Sequence, residues 1–161
     1  MFTSNPLKGY TKRMKNSFFF ILGLIIILGS IFLFLQRALE ENQTKNIRIN
    51  DVEIEVEVAD TATTREFGLS NRETLLDGKG MLFVFDNPSR YGIWMKDMNF
   101  SIDIAWIDEE LQVIGIEKEV TPETFPQIFY PKSTIKYVLE LPAGTLDKYH
   151  IDIGGIVSWK E

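Results

Sequence analysis

The sequence predicts a mainly β domain, a small antiparallel sandwich or partly open barrel with one or two short helices, preceded by one transmembrane helix. Three observations predict it. Val52, Ile54, Val56 and Val58 alternate with Glu53, Glu55 and Glu57, and period two marks a strand with one dry face and one wet face. Short apolar runs then recur between Gly, Pro and Asn signals along the whole C-terminal part, as in small all-β folds. Before them, Phe18 to Leu35 reads FFFILGLIIILGSIFLFL without a single charge.

The apolar run comes first. At about 1.5 Å of rise per residue it nearly crosses a hydrocarbon layer of about 30 Å, and Ser17 and Gln36 can extend it. It has no polar face, which a core helix of a water-soluble domain would show. Only Gly23, Gly29 and Ser30 interrupt it. Residues 18–36 are therefore expected to be a lipid-embedded anchor. Leu35-Gln36-Arg37-Ala38-Leu39-Glu40 offers no small-x-small cleavage site, so retention is favoured over removal as a signal peptide. Lys8, Lys12, Arg13 and Lys15 lie in the stretch 1–17. The positive-inside rule keeps that stretch in the cytoplasm and exports the rest. Residues 37–46 read as a polar linker, and the folded domain is expected from Ile47 to the C-terminus.

Within the domain, Asp60 is a plausible N-cap for a short helix from Thr61 to Phe67 that Gly68 ends. Gly80 to Phe85 is wholly apolar and suits a strand buried on both faces. Asn87-Pro88-Ser89 is a turn, and Tyr91 to Met95 reads as a further strand. Ser101 to Ile107 and Leu111 to Lys118 flank Asp108-Glu109-Glu110 as a hairpin. Pro122, Pro126 and Pro131 exclude a central strand or helix from Thr121 to Pro131. Thr134 to Leu141 and Ile153 to Trp159 are expected as strands, with one helical turn between Gly144 and His150.

Composition excludes several functions. The chain has 17 Lys and Arg against 23 Asp and Glu, for a formal charge of -6. Five of the basic and two of the acidic residues precede residue 42, which leaves the domain at -9. A strongly acidic domain repels phosphate backbones, so nucleic acid is not an expected partner. There is no cysteine and one histidine, His150, so thiolate chemistry and Cys-ligated zinc are excluded. No phosphate loop, dinucleotide fingerprint, nucleophile elbow or zinc-protease motif occurs, and no cofactor is implied.

Taken together, several motifs resemble the domain of unknown function 192 family. They are Ala59-Asp60-Thr61 with Arg65, Gly68-Leu69, Arg72-Glu73, the Gly80 to Phe85 run, Ile93-Trp-Met-Lys-Asp-Met98, Ile102-Asp-Ile-Ala-Trp-Ile107 and Tyr137-Val-Leu-Glu-Leu-Pro-Ala-Gly144. The tryptophan motif departs from the usual pattern, with Asp97 and Met98 where Asn and Thr are commoner. The resemblance implies a mostly β fold behind an export signal or anchor. It implies no activity and no catalytic residues.

The candidate ligand-binding residues are Trp94, Lys96, Asp97, Asp103, Glu140 and Arg72. Asp103 lies between Ile102 and Ile104, and Glu140 between Leu139 and Leu141. A carboxylate in an apolar strand faces water or needs a buried partner, because an unpaired buried charge costs several kcal/mol. Lys96, Arg72 and Arg65 are the candidate partners of Asp103, which fixes the fold if it is paired or hydrogen-bonded and otherwise serves a ligand or a reaction. If Asp103 and Glu140 faced one cavity, they could act as acid and base. Trp94, Lys96 and Asp97 place an aromatic, a cation and an anion together, which suits sugar stacking or a protein contact if Trp94 is exposed. A core position is the commoner fate of such a residue. The Phe125 to Tyr130 loop is a binding edge or a cap on the barrel. Asp147, His150 and Asp152 could bind metal only loosely, and none is expected. The acidic row Glu53, Glu55, Glu57 reads as a solvated face. The expectation is thus a membrane-anchored extracytoplasmic module that binds an envelope polymer, small ligand or partner protein without catalysis. The alternative is an envelope hydrolase using Asp103 and Glu140.

Overall fold

The computed structural model describes residues 22–32 and 43–159. The chain divides into two units, residues 1–41 and 42–161. In the first, residues 22–32 form a helix, α1, with apolar side chains such as Leu24, Ile26 and Phe32 exposed. Among the described residues no helix is long and apolar enough to cross a membrane. The anchor expected over 18–36 lies only in part within them, and both its ends fall outside.

The second unit is mainly β. Its elements are β1 (Thr44–Ile49), β2 (Val52–Ala59), α2 (Ala62–Phe67), β3 (Lys79–Ser89), β4 (Ile93–Trp94), β5 (Ile102–Ile107), β6 (Val113–Val120), β7 (Ile128–Phe129), β8 (Ile135–Pro142), α3 (Thr145–Lys148) and β9 (Val157–Trp159). Seven strands form one sheet in the order β6-β5-β8-β3-β2-β1-β9, and β4 pairs with β7 in a separate ribbon. The sheet curls, and a few contacts tie the start of β6 to the start of β9. Gln112 bridges Ile156, the Val113 N–H donates to the Gly155 carbonyl at 2.9 Å, and the Val157 N–H donates to the Leu111 carbonyl at 2.8 Å. A curled half-barrel results, which blunts the two edges that an open sheet would expose.

Three expectations need correction. The sheet is not wholly antiparallel, because β2 and β3 run parallel. A parallel neighbour needs a crossover, and α2 supplies it. The cap of α2 is Thr61 rather than Asp60: its hydroxyl accepts from the Thr64 N–H, and Thr64 reciprocates as a capping box. The domain also begins earlier than Ile47, since Thr44 to Asn46 already pair with β2.

Two apolar layers hold the sheet. Inside the curl lie Ile47, Ile54, Leu82, Ile107, Leu139 and Leu141, with Leu146 of α3 as a plug. The opposite face of β3, β8 and β5 carries Met81, Phe83, Ile104, Trp106 and Val138, covered by Leu69, Ile93 and Met95 from the loops. Burial on both faces explains why β3 and β5 read as continuous apolar runs. The acidic row of β2 is not simply solvated. Glu53 pairs with Arg48, Glu55 with Lys79 and Glu57 with Arg72, which cancels the like-charge repulsion of three carboxylates on one strand face.

Candidate functional site

Strand register decides how the two carboxylates are used. In β5 and β8, Asp103 pairs with Leu141 and Ile104 pairs with Glu140. Residues paired across a sheet share a face and their neighbours take the other. Asp103 therefore points into the curl, with Ala105 and Leu141. Glu140 points to the second layer, between Met81 on one side and Ile104 on the other. The expected acid–base couple is corrected: the sheet itself separates its members.

Asp103 is fully buried and its partners are not Lys96, Arg72 or Arg65. One oxygen accepts the Glu119 N–H at 2.8 Å and the other the Leu146 N–H at 2.9 Å. Both bonds answer a backbone need. The pairing of β5 with β6 slips between Ile102 and Ile104, so the extra residue of the bulge loses its ladder partner. Glu119, with φ 50°, turns its N–H to Asp103 instead. α3 begins on Gly144, which has no capping side chain, and Asp103 supplies the cap from across the barrel.

Glu140 is different. The residue is 5 % exposed, and its carboxyl makes no hydrogen bond among the described residues. It lies at the floor of a pocket of about 130 Å³ whose walls include Leu69, Phe83, Phe85, Tyr91, Trp94 and Lys96. Burial in this apolar setting pushes its pKa up to about 8, and the Arg72 cation pulls it partly back. A carboxyl so perturbed in a concave site is a functional candidate on physical grounds.

The wall facing the floor comes from α2 and the turn after it. Gly68 ends α2 at φ +51°, and a Cβ there would stand 3.2 Å from the Phe83 ring, so only glycine lets the chain lie this close to β3. Arg65 is locked by donation to the Asp60 and Val84 carbonyls at 2.5 and 2.7 Å and lies 5.4 Å from the centre of the Phe85 ring. Phe85 and Tyr91 stack at 3.6 Å across the expected turn at 87–89, which belongs to a longer β3. Past Tyr91 the strand is only Ile93–Trp94. Ile93 and Met95 are buried and Trp94 is 47 % exposed, so the indole is a surface group and Trp106 is the core tryptophan. Lys96 Nζ lies 5.8 Å from the centre of the Trp94 ring, and Phe125, from the proline-rich loop, packs against Trp94 in a T-shaped pair with ring centres 6.1 Å apart.

Of the six candidates, three line this pocket: Trp94, Lys96 and Glu140. Arg72 is not in the lining but acts on Glu140 through its charge. Its guanidinium grips Glu57 through two bonds of 2.5 and 2.7 Å, and its field is what lowers Glu140. Arg72→Met is therefore expected to raise the Glu140 titration midpoint above its present value, read from the Glu140 carboxyl carbon by NMR. An unmoved midpoint would contradict the coupling. Asp97 is exposed, and at φ 55° its carbonyl accepts the Asn71 N–H at 2.7 Å. It shapes the loop and does not line the pocket. Asp147 pairs with Lys118, and among the described residues no three His, Asp or Glu side chains are grouped to hold a metal. Sequence reasoning missed Phe83, Phe85 and Tyr91, and it offered Arg65 to Asp103 and not to this pocket. The aromatic spacing either side of Asn87-Pro88 was the available signal.

Comparison with known proteins bears on the whole domain. The family model DUF192, described as "Uncharacterized ACR", matches residues 44–159. A UPF0127 protein of Pyrococcus abyssi is 29 % identical over 120 residues, spanning 73 % of this chain and 94 % of that protein. A UPF0127 protein of Pyrococcus horikoshii is 26 % identical over 123 residues, spanning 73 % and 96 %. A Sinorhizobium meliloti crystal structure, described as a candidate transcription regulator, is similar with TM-score 0.71 and 25 % identity, over 74 % of this chain and 95 % of that one. A Novosphingobium aromaticivorans protein of unknown function shares the fold with TM-score 0.70 and 23 % identity, over 73 % and 86 %.

Proposed function

The chain belongs to the DUF192 family, and from that premise we propose that it is a membrane-anchored, exported module that binds a small ligand in the pocket above Glu140, without turning it over. The observation that carries this reading is the buried carboxyl at the pocket floor that no group among the described residues hydrogen-bonds. Folding leaves a polar group so placed only at a cost, and a ligand is what can repay it. Binding is favoured over catalysis because the two carboxylates that would share acid–base work lie on opposite faces of the sheet. Anchoring is supported by the uncharged run Phe18 to Leu35 and export by the four basic residues before it.

Two experiments test the reading. The full chain in detergent micelles is titrated with small sugars, amines, amides and carboxylates, while the Trp94 indole N–H is followed by NMR. At least one class is expected to shift that resonance in wild type and not in Glu140→Leu; no such class means the pocket is not a site. Trp94→Ala is expected to weaken that ligand about tenfold while the melting temperature moves by only a few degrees, since a half-exposed side chain contributes little to folding. Separately, protease added to spheroplasts is expected to degrade residues 43–161, and protection there would overturn the topology.

A further inference from the structure

The ribbon of β4 and β7 is amphipathic, and nothing covers its outer face among the described residues. Ile93 stands opposite Phe129 and Trp94 opposite Ile128, and cross-strand partners share a face. Ile93 and Phe129 turn inward, onto the layer of Met81, Phe83 and Val138. Trp94 and Ile128 turn outward, 47 % and 41 % exposed. Tyr130, two residues past Ile128, joins that face. Gly92 makes room for it: a Cβ there would stand 2.6 Å from the Tyr130 ring and closer still to Ile128. Phe125 completes the cluster through its T-shaped contact with Trp94. Four of the nine exposed large apolar side chains described in residues 43–159 thus lie together on one ribbon. Such a cluster marks a contact surface, where scattered apolar residues do not.

Register fixes where this face lies. The Val58 N–H donates to the Gln43 carbonyl, so the chain enters the domain beside Val58, level with Leu82 of β3. From that level β3 runs on to Ser89, which pairs with Ile135 at the start of β8. β4 follows the one and β7 precedes the other, so the ribbon hangs from the end of the sheet at which the chain enters. On the anchor reading, only residues 37–42 separate the lipid from Gln43, and six extended residues span about 20 Å at most. A bilayer is then the one surface always within reach of this end. Charge permits the approach. Residues 88–100 and 121–134, which build the ribbon, carry Arg90, Lys96 and Lys132 against Asp97 and Glu123, a net of +1 in a domain of -9. An anionic lipid surface does not repel such a face. Lys96, with its Nζ 5.8 Å from the centre of the Trp94 ring, has the apolar stem and charged tip that let a lysine snorkel to headgroups.

We propose that the outer face of this ribbon, formed by Trp94, Phe125, Ile128 and Tyr130, docks onto the lipid–water interface of the bilayer that holds the chain. The inference rests on the anchoring proposed above and is independent of any ligand in the pocket. Trp and Tyr favour that interface because each joins an apolar ring to a polar tip. Tethering keeps the effective concentration of lipid high, so a weak surface affinity is enough. The pocket whose wall Trp94 forms then opens toward the headgroups.

The test uses the full chain in vesicles of phosphatidylcholine and phosphatidylglycerol, read by tryptophan fluorescence. The tryptophans are Trp94, Trp106 and Trp159, so the apolar run itself contributes no signal. Trp159→Phe leaves Trp94 and the buried Trp106, and adding Trp94→Phe supplies the Trp106 signal to subtract. Phosphatidylcholine brominated near its carbonyl end is expected to quench the Trp94 emission by about half, as for an indole at headgroup depth, and aqueous acrylamide to quench it little. Phe125→Ser with Ile128→Ser is expected to reduce the quenching by lipid about twofold or more while the melting temperature moves by only a few degrees, since exposed side chains contribute little to folding. Unchanged quenching in that variant overturns the assignment of the face. Trp94 quenched by acrylamide and not by brominated lipid overturns the docking. Trp94 shielded from both is covered by protein, a second copy included, and overturns lipid as the occupant. Washing the vesicles in alkaline carbonate separates these failures from failure of the anchor. A chain that stays embedded while Trp94 fails the lipid test refutes the docking alone. A chain that washes off refutes the anchor and the docking with it.

Discussion

Asp103→Ala is expected to remove roughly 3–5 kcal/mol of folding stability and to lower the melting temperature by roughly 10–20 °C. The size follows from what is left behind. The Leu146 and Glu119 N–H groups, each now bonded to one oxygen of a fully buried carboxylate, would face an apolar interior with no acceptor. Each orphaned donor costs about 1–3 kcal/mol. Asp103→Asn keeps one acceptor but turns an amide N–H toward the other donor, so a loss of about 2–3 kcal/mol is expected. Ligand binding at the Glu140 pocket, measured below the lowered melting point, should persist in both variants because the sheet separates the two sites. A loss below about 1 kcal/mol in Asp103→Ala would mean that bulge and α3 find other partners and that Asp103 is not their staple.

This residue also marks where the sequence stops being informative. Asp103 and Glu140 look alike in sequence, each a carboxylate between two apolar neighbours. Their fates part on one residue of register. With Asp103 opposite Leu141 they take opposite faces; a slip of one would have put both on one face, because the side-chain period of a strand is two. Register across β5 and β8 is set by pairs from Ile107 with Tyr137 to Ile102 with Pro142, far apart in sequence, which local pattern does not contain. The alternation at 52–58 was legible because both causes are local: the pleat, and one face turned to the core. The helix after it was legible for its closing glycine, though its cap is Thr61 and not Asp60. Its role as the crossover between two parallel strands was not, since the pairing of β2 with β3 leaves no local mark. Trp94 was ambiguous for a related reason. Its strand is two residues long, too short for a period to declare a face, and the neighbours that are buried, Ile93 and Met95, flank it in sequence.

Glu140 is expected to make the fold less stable as pH rises, and Glu140→Gln to remove that dependence. The sign follows from proton uptake. Unfolded, the carboxyl titrates near the ordinary 4.5; folded, burial holds its proton up to about 8. Below the lower value both states carry the proton and the group contributes no pH dependence. Between the two values the unfolded chain gives up its proton while the folded one keeps it, so stability falls by about 1.4 kcal/mol for each pH unit. Above the upper value both are ionised and the loss levels off, at about 5 kcal/mol as an upper bound for a shift of this size. Glu140→Gln places a neutral amide in the same volume and cannot ionise. Its melting temperature is expected to match that of wild type near pH 4.5, to exceed it increasingly toward pH 8 and to run parallel beyond, with a final advantage of several kcal/mol. Thermal melts of the two chains at half-unit steps of pH measure the difference, in which every other titrating group cancels. A flat difference would show that the pocket floor is wet or paired, and the reason for expecting a ligand there would disappear. A rising one would say that the fold tolerates a carboxyl that a neutral side chain would improve. Natural sequences keep such liabilities chiefly where binding or chemistry needs them.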